Sequence, residues 1–129
     1  MKVRISKGFT LVEIMIVVAI IGIIIAIAVP AFLRARENSR GQACQENLSK
    51  IDGAKEQYAL EFKLANAGAV TFDNLITPPG ATTGAGEGYL KATPTCPSSG
   101  TYTVNVIGTI PVCSIAATNA PFIPHVMPQ

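Results

Sequence analysis

The sequence is poor in the residues that most enzyme active sites use. It has no tryptophan and a single histidine, His125, and charged side chains make up 14% of it, against a usual ~25%. Its three cysteines are too far apart for a CxxC metal site, and no phosphate-binding GxxxxGK(S/T) loop occurs. Neither Ser98 nor Ser99 makes a catalytic triad with His125, because the third member of such a triad is absent. We therefore expect no enzyme activity, no metal site and no cofactor. One alternative stays open: Asp73 and Glu87 lie in predicted loops where a Ca²⁺ site is conceivable, although solvated surface is the favoured interpretation.

The small number of charged residues also limits the kinds of binding partner that the sequence can indicate. The formal net charge is +2 over 129 residues, too small a positive charge to indicate nucleic-acid binding. The length fits one small domain. His125 lies in a proline-rich tail, residues 116–129, which we expect to run over the surface with His125 exposed.

The sequence does contain a long apolar run. The twenty residues 14–33 carry no charge, and ~20 helical residues at ~1.5 Å each cross a ~30 Å hydrocarbon core. Three basic residues and no acid precede the run within the first eight positions. The positive-inside rule then predicts a cytoplasmic N-terminus, with residues 34–129 on the other side of the membrane.

A secretory signal peptide is a competing interpretation of the same region. The segment 26–28, Ala-Ile-Ala, resembles a small-x-small cleavage site, and cleavage there would release a soluble fragment of residues 29–129. Two features argue against it. Glu13 interrupts the apolar region, and the run continues past the site as far as Leu33.

Glu13 and Pro30 are the unusual residues of this region. An acid at bilayer depth costs ~2.5–3.5 kcal/mol on insertion scales, so Glu13 is expected to have a partner unless it lies at the interface. Pro30 removes one helical hydrogen bond. It therefore either kinks the stretch behind it, which contains Gly22, or marks the end of the helix.

The segment Lys7–Ile14, KGFTLVEI, resembles the signal of type IV prepilins and type II secretion pseudopilins. In that family a short basic leader ends in glycine, phenylalanine follows, and a glutamate lies four residues later. Gly8, Phe9 and Glu13 match this order. The residues that stand where the family tends to carry a glycine and a proline are Gly22 and Pro30. The residues that match the family signal are concentrated between positions 7 and 33.

The resemblance implies processing and assembly steps. A prepilin peptidase would cleave after Gly8, and Phe9 would be N-methylated. The freed amine would lie one helical turn from Glu13, at an i, i+4 spacing. It could neutralise Glu13 of its own chain or of a neighbour, and the family favours the neighbour, which would fix the stagger between helices. The family's filaments also suggest that the stretch from Gly22 to Pro30 melts or extends on assembly.

Residues 34–67 predict a continuation of the helix, because they are good helix formers without proline. Helical spacing gives them one apolar stripe: Cys44, Leu48, Ile51, Tyr58, Phe62 and Ala65. Lys55 falls within the stripe, and we expect its stem to lie along the apolar surface with its ammonium outside. Gly41 and Gly53 mark bends or close packing, and Ala67-Gly68 is the expected helix end.

Residues 68–129 are rich in proline, glycine, threonine and serine. The predicted strands are 89–92, 101–107 and 110–115, forming a small antiparallel sheet on the face of the helix between Cys44 and Ala65. The expected fold is therefore α+β and type IV pilin-like. Its predicted parts are a leader (1–8), a transmembrane or filament-core helix (9–33), an amphipathic extension (34–67) and a loop-rich β domain (68–129).

The cysteines suggest a cross-link, since a domain outside the membrane lies in an oxidising environment. Cys96 and Cys113 flank the predicted strand 101–107 and would close a loop of about 18 residues, worth ~3 kcal/mol in the chain-entropy model. The surrounding residues loosely resemble the C-terminal part of short prepilin-like proteins, which supports this pair. Cys44 is either a small apolar core residue or a bridge to one of the other two.

These observations predict a structural subunit of a type IV pilus-like helical filament, not an enzyme. Its expected partners are other copies or other pilins, the prepilin peptidase and an assembly platform in the inner membrane. Before assembly it would be a single-pass protein with an extracytoplasmic C-terminal domain. Two alternatives stay open: a pseudopilin of a type II secretion or DNA-uptake fibre, and a membrane-tethered binding domain that never polymerises.

Overall fold

The computed structural model describes residues 8–81, 88–116 and 119–128. Two helices and two strands occur in these ranges, in the order α1 (Leu11–Glu61), α2 (Phe72–Ile76), β1 (Tyr102–Thr103) and β2 (Val112–Cys113). A long N-terminal helix with a small antiparallel sheet confirms the predicted α+β, pilin-like fold class. The predicted leader, 1–8, lies outside the described residues except for Gly8.

The chain divides into two compact units, residues 1–35 and 36–129. In the first unit every described side chain is exposed, and all residues from 11 onward are helical. The second unit contains the remainder of α1, together with α2 and the sheet. Both hydrophobic core clusters lie in the second unit.

The apolar stripe predicted for the second half of α1 is largely confirmed. Cys44, Leu48 and Ile51 are fully buried, and Tyr58 is 6% exposed. They recur at helical spacing and so face one side, against which the rest of the unit packs. Phe62 is partly buried just past the end of the helix, whereas Ala65 is exposed, so the stripe ends earlier than predicted.

The predicted helix end at Ala67-Gly68 is wrong. Helix α1 ends at Glu61, because Lys63 adopts a left-handed backbone conformation with a φ of 51°. The amide of Leu64 then donates to the carbonyl of Ala59 over 2.9 Å. This is the six-residue hydrogen bond of a Schellman-type termination, formed here around lysine instead of the more usual glycine.

Helix α2 lies in the part of the loop-rich region, 68–129, for which no helix was predicted. Thr71 caps it, and the Thr71 and Asn74 side chains form a capping box. The segment 89–92 is not a strand, which corrects that prediction. It runs back along α2 instead, with the Leu90 amide donating to the carbonyl of Leu75 over 3.1 Å.

The sheet has two strands, not the predicted three, among the residues described. Tyr102 pairs with Cys113 and Thr103 with Val112, antiparallel. The predicted strand 101–107 stops after Thr103, because Asn105 has a φ of 59°, which the extended conformation of a strand does not allow. The chain then turns, and Ile107 exchanges two backbone hydrogen bonds with residues 67–68.

The C-terminal segment 119–128 lies against α1. The Ile123 amide donates to the Asn38 side chain over 3.2 Å, and Gln45 donates to the Pro124 carbonyl over 3.0 Å. His125 forms an antiparallel bridge with Ala116. The prediction that His125 is exposed is wrong: its exposed fraction is 0%. The flanking hydrogen bonds to the helix fix the backbone so that the imidazole points inward.

Candidate functional site

The helix of the first unit exposes apolar side chains on every side. It is long and apolar enough to cross a membrane. Its exposed large hydrophobic residues between positions 11 and 33 are Leu11, Val12, Ile14, Met15, Ile16, Val17, Val18, Ile20, Ile21, Ile23, Ile24, Ile25, Ile27, Val29, Phe32 and Leu33. We call these side chains the apolar helix surface. A monomer in water rarely exposes so much contiguous apolar area, so this surface requires lipid or other apolar helices to cover it.

Thr10 and Glu13 begin the helix through reciprocal hydrogen bonds. The Glu13 amide donates to Thr10 Oγ1 over 3.2 Å, and Glu13 Oε2 accepts from the Thr10 amide over 3.3 Å and from its hydroxyl over 3.4 Å. This is a capping box, and a carboxylate at this end is also favoured by the helix dipole. Glu13 therefore has a local role that the sequence reasoning did not consider.

The other predicted processing and assembly residues lie on the same exposed segment. Gly8 is exposed, and Phe9 is 82% exposed at the N-terminal side of the helix. No described atom lies within 4 Å of where a Cβ on Gly22 would stand, apart from the helix's own backbone. Pro30 lies inside α1, and residues 22–30 are helical. Cleavage after Gly8, methylation of Phe9 and melting of 22–30 remain predictions.

A second constellation lies in the unit formed by residues 36–129. The ligand atoms of Cys44, Cys96, Cys113 and His125 all lie within 4.8 Å of one another, and all four residues are buried. Cys44 is on α1, Cys113 on β2, and the other two residues lie in the irregular segments on either side of the sheet. We call these four side chains the cysteine–histidine cluster.

None of the three cysteines forms a disulfide in the structure. The predicted pairing of Cys96 with Cys113 stays a prediction, since the fold does bring the two residues into one cluster. Cys44 is fully buried beside them. Its predicted place on the buried stripe of the helix is therefore confirmed, and it packs with Leu48, Cys96 and Cys113.

The cysteines of the cluster have unequal environments. Burial raises the pKa of the Cys44 thiol to about 12, although a hydrogen bond from Tyr102 opposes the shift. Burial also opposes ionisation of Cys96, but hydrogen bonds from the backbone of Ser98 and Gly100 and from the neighbouring thiols outweigh it and lower its pKa. The donors around Cys96 thus favour a thiolate at that position.

Lys55 lies inside the core, which corrects the expectation that its ammonium reaches solvent. The residue is 0% exposed. Its Nζ donates to the carbonyl of Val104 over 3.1 Å and to that of Thr109, and it lies 3.7 Å from Asp52 Oδ1. Burial lowers the pKa of Lys55, with Asp52 and Glu56 opposing the shift. The side chain ties the turn 104–109 to the helix, so its role is structural.

Sequence reasoning missed the cysteine–histidine cluster, because it tested ligand spacing only along the chain. Cys44, Cys96, Cys113 and His125 are separated by 52, 17 and 12 positions, so no local motif exists. The available signal was the burial stripe. It placed Cys44 on the face that the C-terminal domain covers, and that domain contains the other two cysteines and the one histidine.

Comparison with known proteins identifies the class. A family model for the prokaryotic N-terminal methylation motif matches residues 3–29. Type II secretion system core protein G of Escherichia coli (strain K12) is 31% identical over 101 residues, which is 75% of this chain and 70% of that protein. No solved structure matches.

Two pilins are similar over a shorter stretch. The type IV major pilin protein PilA of Myxococcus xanthus is 43% identical over 56 residues, which is 43% of this chain and 26% of PilA. The type IV major fimbrial protein FimA of Dichelobacter nodosus is 52% identical over 54 residues, which is 42% of this chain and 32% of FimA. The chain thus spans about a quarter to a third of these pilins.

These matches, with the α+β fold and the apolar helix surface, show that the chain belongs to the family of type IV pilins and type II secretion pseudopilins. Its members are structural subunits of filaments and not enzymes. The family implies self-assembly and processing by a prepilin peptidase. Together with the single apolar helix described, it indicates a membrane-anchored, single-pass protein.

Proposed function

We propose that this chain is a filament subunit stored in the inner membrane and extracted into a helical fibre by an assembly platform. Residues 1–8 act as a cytoplasmic leader that is removed after Gly8, and Phe9 is then methylated on its new amine. Residues 9–33 hold the chain in the bilayer, while 34–129 lie outside the cytoplasm. The observation that carries this proposal is the exposed apolar helix surface, most of which lies within the match to the methylation motif.

The filament is proposed to bury the apolar helix surface among the helices of neighbouring subunits. Lipid covers these side chains before assembly, so exchanging lipid for other apolar helices keeps them out of water. Gly22 supports close approach, because it has no side chain and, apart from the helix's own backbone, no described atom lies within 4 Å of where a Cβ would stand. Pro30 lacks an amide donor for the carbonyl of Ala26. The stretch 22–30 is therefore where we expect the helix to extend or melt on assembly.

Glu13 is proposed to pair with the methylated amine of Phe9 in a neighbouring subunit. A carboxylate within an apolar environment needs a partner, and each mature subunit would supply one carboxylate and one amine. In a helical stack every pair can then be matched except at the ends. The capping box does not prevent this ion pair, because only one of the two carboxylate oxygens of Glu13, Oε2, accepts hydrogen bonds from Thr10.

A secretion-type fibre is the system that the comparisons favour. The matches to type II secretion core protein G cover 75–79% of this chain in the Escherichia coli and Klebsiella michiganensis proteins, whereas those to the two pilins cover 42–43%. The longer matches extend well past the membrane segment. This supports a pseudopilin, and a surface pilus or DNA-uptake fibre is the second candidate.

Mass spectrometry of fibres sheared from cells tests the proposal. The expected result is a chain that begins at Phe9 and carries one added methyl group. A mature chain beginning at Val29 would support the secretory-signal alternative. Absence of the chain from all fibres would support a membrane-tethered binding domain. Loss of exoprotein release on gene deletion, with twitching and transformation unchanged, would identify a secretion fibre.

A further inference from the structure

The cysteine–histidine cluster contains every cysteine and the one histidine of the sequence. Cys44 and His125 are 0% exposed, Cys113 is 2% exposed and Cys96 is 7% exposed. Four widely separated segments thus deliver four metal-ligating side chains to one buried point. Apolar packing alone would not select these residue types at all four positions, and a disulfide would employ only two of them.

The distances within the cluster are close to those of a tetrahedral thiolate–imidazole site. A zinc ion with Zn–S bonds of ~2.3 Å and a Zn–N bond of ~2.0–2.1 Å places its ligand atoms ~3.6–3.8 Å apart. In the structure, Cys96 Sγ lies 3.4 Å from His125 Nδ1, and no pair of ligand atoms in the cluster is more than 4.8 Å apart. Small side-chain adjustments would bring all four onto one ion.

The imidazole and the neighbouring backbone fit such a site. Nδ1 of His125 faces Cys96 and would be the ligand atom, whereas Nε2, which is buried without a hydrogen-bond partner among the described residues, would keep the ring proton. A Cβ on Gly100 would lie 2.7 Å from Cys113 Sγ. The backbone at Gly100 is therefore shaped to let the sulfur approach, and a larger residue would displace it.

Polar groups lie beside two of the sulfurs. The backbone of Ser98 and Gly100 is near Cys96, and the Tyr102 hydroxyl is near Cys44. The Tyr102 hydroxyl is itself held by Asn47, whose Nδ2 donates to it over 3.2 Å. Such outer partners orient the ligands and stabilise negative charge on sulfur.

We propose that Cys44, Cys96, Cys113 and His125 bind one Zn²⁺ ion in a closed, structural Cys3His site. Three sulfurs and one imidazole in tetrahedral reach suit zinc among the common divalent ions. Binding involves no redox change: three thiols release their protons to solvent, and each sulfur and the neutral imidazole donates an electron pair. With three thiolates and one Zn²⁺, the site carries a net charge of −1.

The ion would join four segments of the unit that are far apart along the chain. It links α1, strand β2, the loop before β1 and the C-terminal segment in a domain whose strands are two residues long. A sheet of this size is not stable by itself. The proposal does not depend on the filament assignment. The Cys96–Cys113 disulfide is its direct competitor, because an oxidised pair cannot supply two thiolates.

The test uses the full chain, purified in detergent with a reducing agent that does not bind metal. Elemental analysis is expected to find about one zinc per chain. After removal of the metal with a chelator, Co²⁺ should give the absorption of a tetrahedral thiolate site, and added Zn²⁺ should displace it and raise the unfolding temperature. An octahedral Co²⁺ spectrum, or no bound metal, would overturn the proposal.

Variants separate ligation from folding. His125→Ala and Cys44→Ser should each weaken zinc binding more than tenfold, whereas Lys50→Ala, on the exposed face of the same helix, should bind as the wild type does. Tyr102→Phe keeps the ring and all four ligands, and loss of the hydroxyl beside Cys44 should weaken binding about 10- to 100-fold. Unchanged affinity in His125→Ala would contradict the site.

Counting the free thiols of the protein isolated from cells distinguishes the zinc site from the competing Cys96–Cys113 disulfide. Alkylation under denaturing conditions, followed by intact mass measurement, is expected to modify three thiols per chain. Modification of a single thiol, with Cys96 joined to Cys113 in the peptide map, would show that the cell makes the disulfide and would reject the zinc site.

Discussion

Gly41 of helix α1 lies directly against the backbone of Ile123. A Cβ placed on Gly41 would stand 2.5 Å from the Ile123 carbonyl oxygen and 2.9 Å from its Cβ. Real side chains do not approach a carbonyl so closely, so the C-terminal segment and the helix can meet only where residue 41 has no side chain. Two hydrogen bonds also hold this C-terminal segment to the helix. Asn38 accepts one from the Ile123 amide, and Gln45 donates the other to the Pro124 carbonyl.

Gly41→Ala should therefore destabilise the protein although alanine is the better helix former. Overpacking of a tight contact costs ~1–3 kcal/mol, which exceeds the gain in helix propensity of up to ~1 kcal/mol. Gly53→Ala is the matched control, because it lies on the same helix, is exposed and has no described atom within 4 Å of its added Cβ. It should stabilise. Denaturant unfolding of both variants in one detergent measures the difference, and equal effects would contradict the contact.

Lys55→Met should lower the free energy of unfolding by ~1–3 kcal/mol at neutral pH, because the carbonyls of Val104 and Thr109 would lose their buried donor. Lys50→Met is the control. Lys50 pairs with Glu46 on the surface, with 59% and 67% of the two side chains exposed, and such pairs contribute ~1 kcal/mol at most. Similar losses in the two variants would show that the buried contacts of Lys55 add little.

The lowered pKa of Lys55 predicts that the free energy of unfolding depends on pH. Burial lowers the pKa of Lys55 below its ordinary 10.5, so between the lowered pKa and 10.5 the unfolded chain binds more protons than the folded one. Stability then rises with pH in that alkaline window. The difference in unfolding free energy between wild type and Lys55→Met should therefore grow as pH is raised toward 10.5. A constant or shrinking difference would contradict the lowered pKa.

Periodicity predicted the helix and its buried face, because the repeat of apolar residues is a local property of the chain. Cys44, Leu48 and Ile51 are buried as expected. The helix end was not predictable in this way. Glycine is the usual residue for a left-handed cap, so the sequence pointed to Gly68, yet Lys63 adopts that conformation.

The cluster shows the other limit of sequence reasoning. His125 meets Cys44 because its neighbours Ile123 and Pro124 are hydrogen-bonded to α1, and Cys113 does so because strand β2 packs against the same helix face. No pattern along the chain encodes that docking. The same holds for Lys55, whose ammonium is buried because the turn 104–109 presents carbonyls to it. Both features depend on contacts between residues about 50 or more positions apart.

Gly8→Val should block removal of the leader, because a branched side chain would obstruct the peptidase at the exposed bond between Gly8 and Phe9. The chain should accumulate in the membrane at precursor mass and be absent from fibres. Gly22→Ala, a small change beyond the cleavage site, should be trimmed normally. Mass measurement of the membrane-bound chains decides this, and efficient trimming of Gly8→Val would place the cleavage site elsewhere.

Glu13 has a role in helix capping and a proposed role in an intersubunit ion pair, and substitutions at residues 10 and 13 can separate the two. In the capping box, Glu13 accepts hydrogen bonds from Thr10, and glutamine can do the same at this position. Glu13→Gln therefore keeps the helix start and removes only the charge. Glu13→Ala removes both, although without the acid its insertion would gain ~2.5–3.5 kcal/mol.

If the intersubunit ion pair operates, both variants should be inserted and trimmed, and both should fail to form fibres by themselves or enter only beside wild-type subunits. The Thr10→Val variant weakens the capping box and keeps the charge, so it should still assemble. Fibre yield, measured against membrane-bound mature chain, reports the outcome. Normal yield from Glu13→Gln together with loss in Thr10→Val would assign Glu13 to helix capping and reject the ion pair, because charge would then be dispensable and the helix start would not.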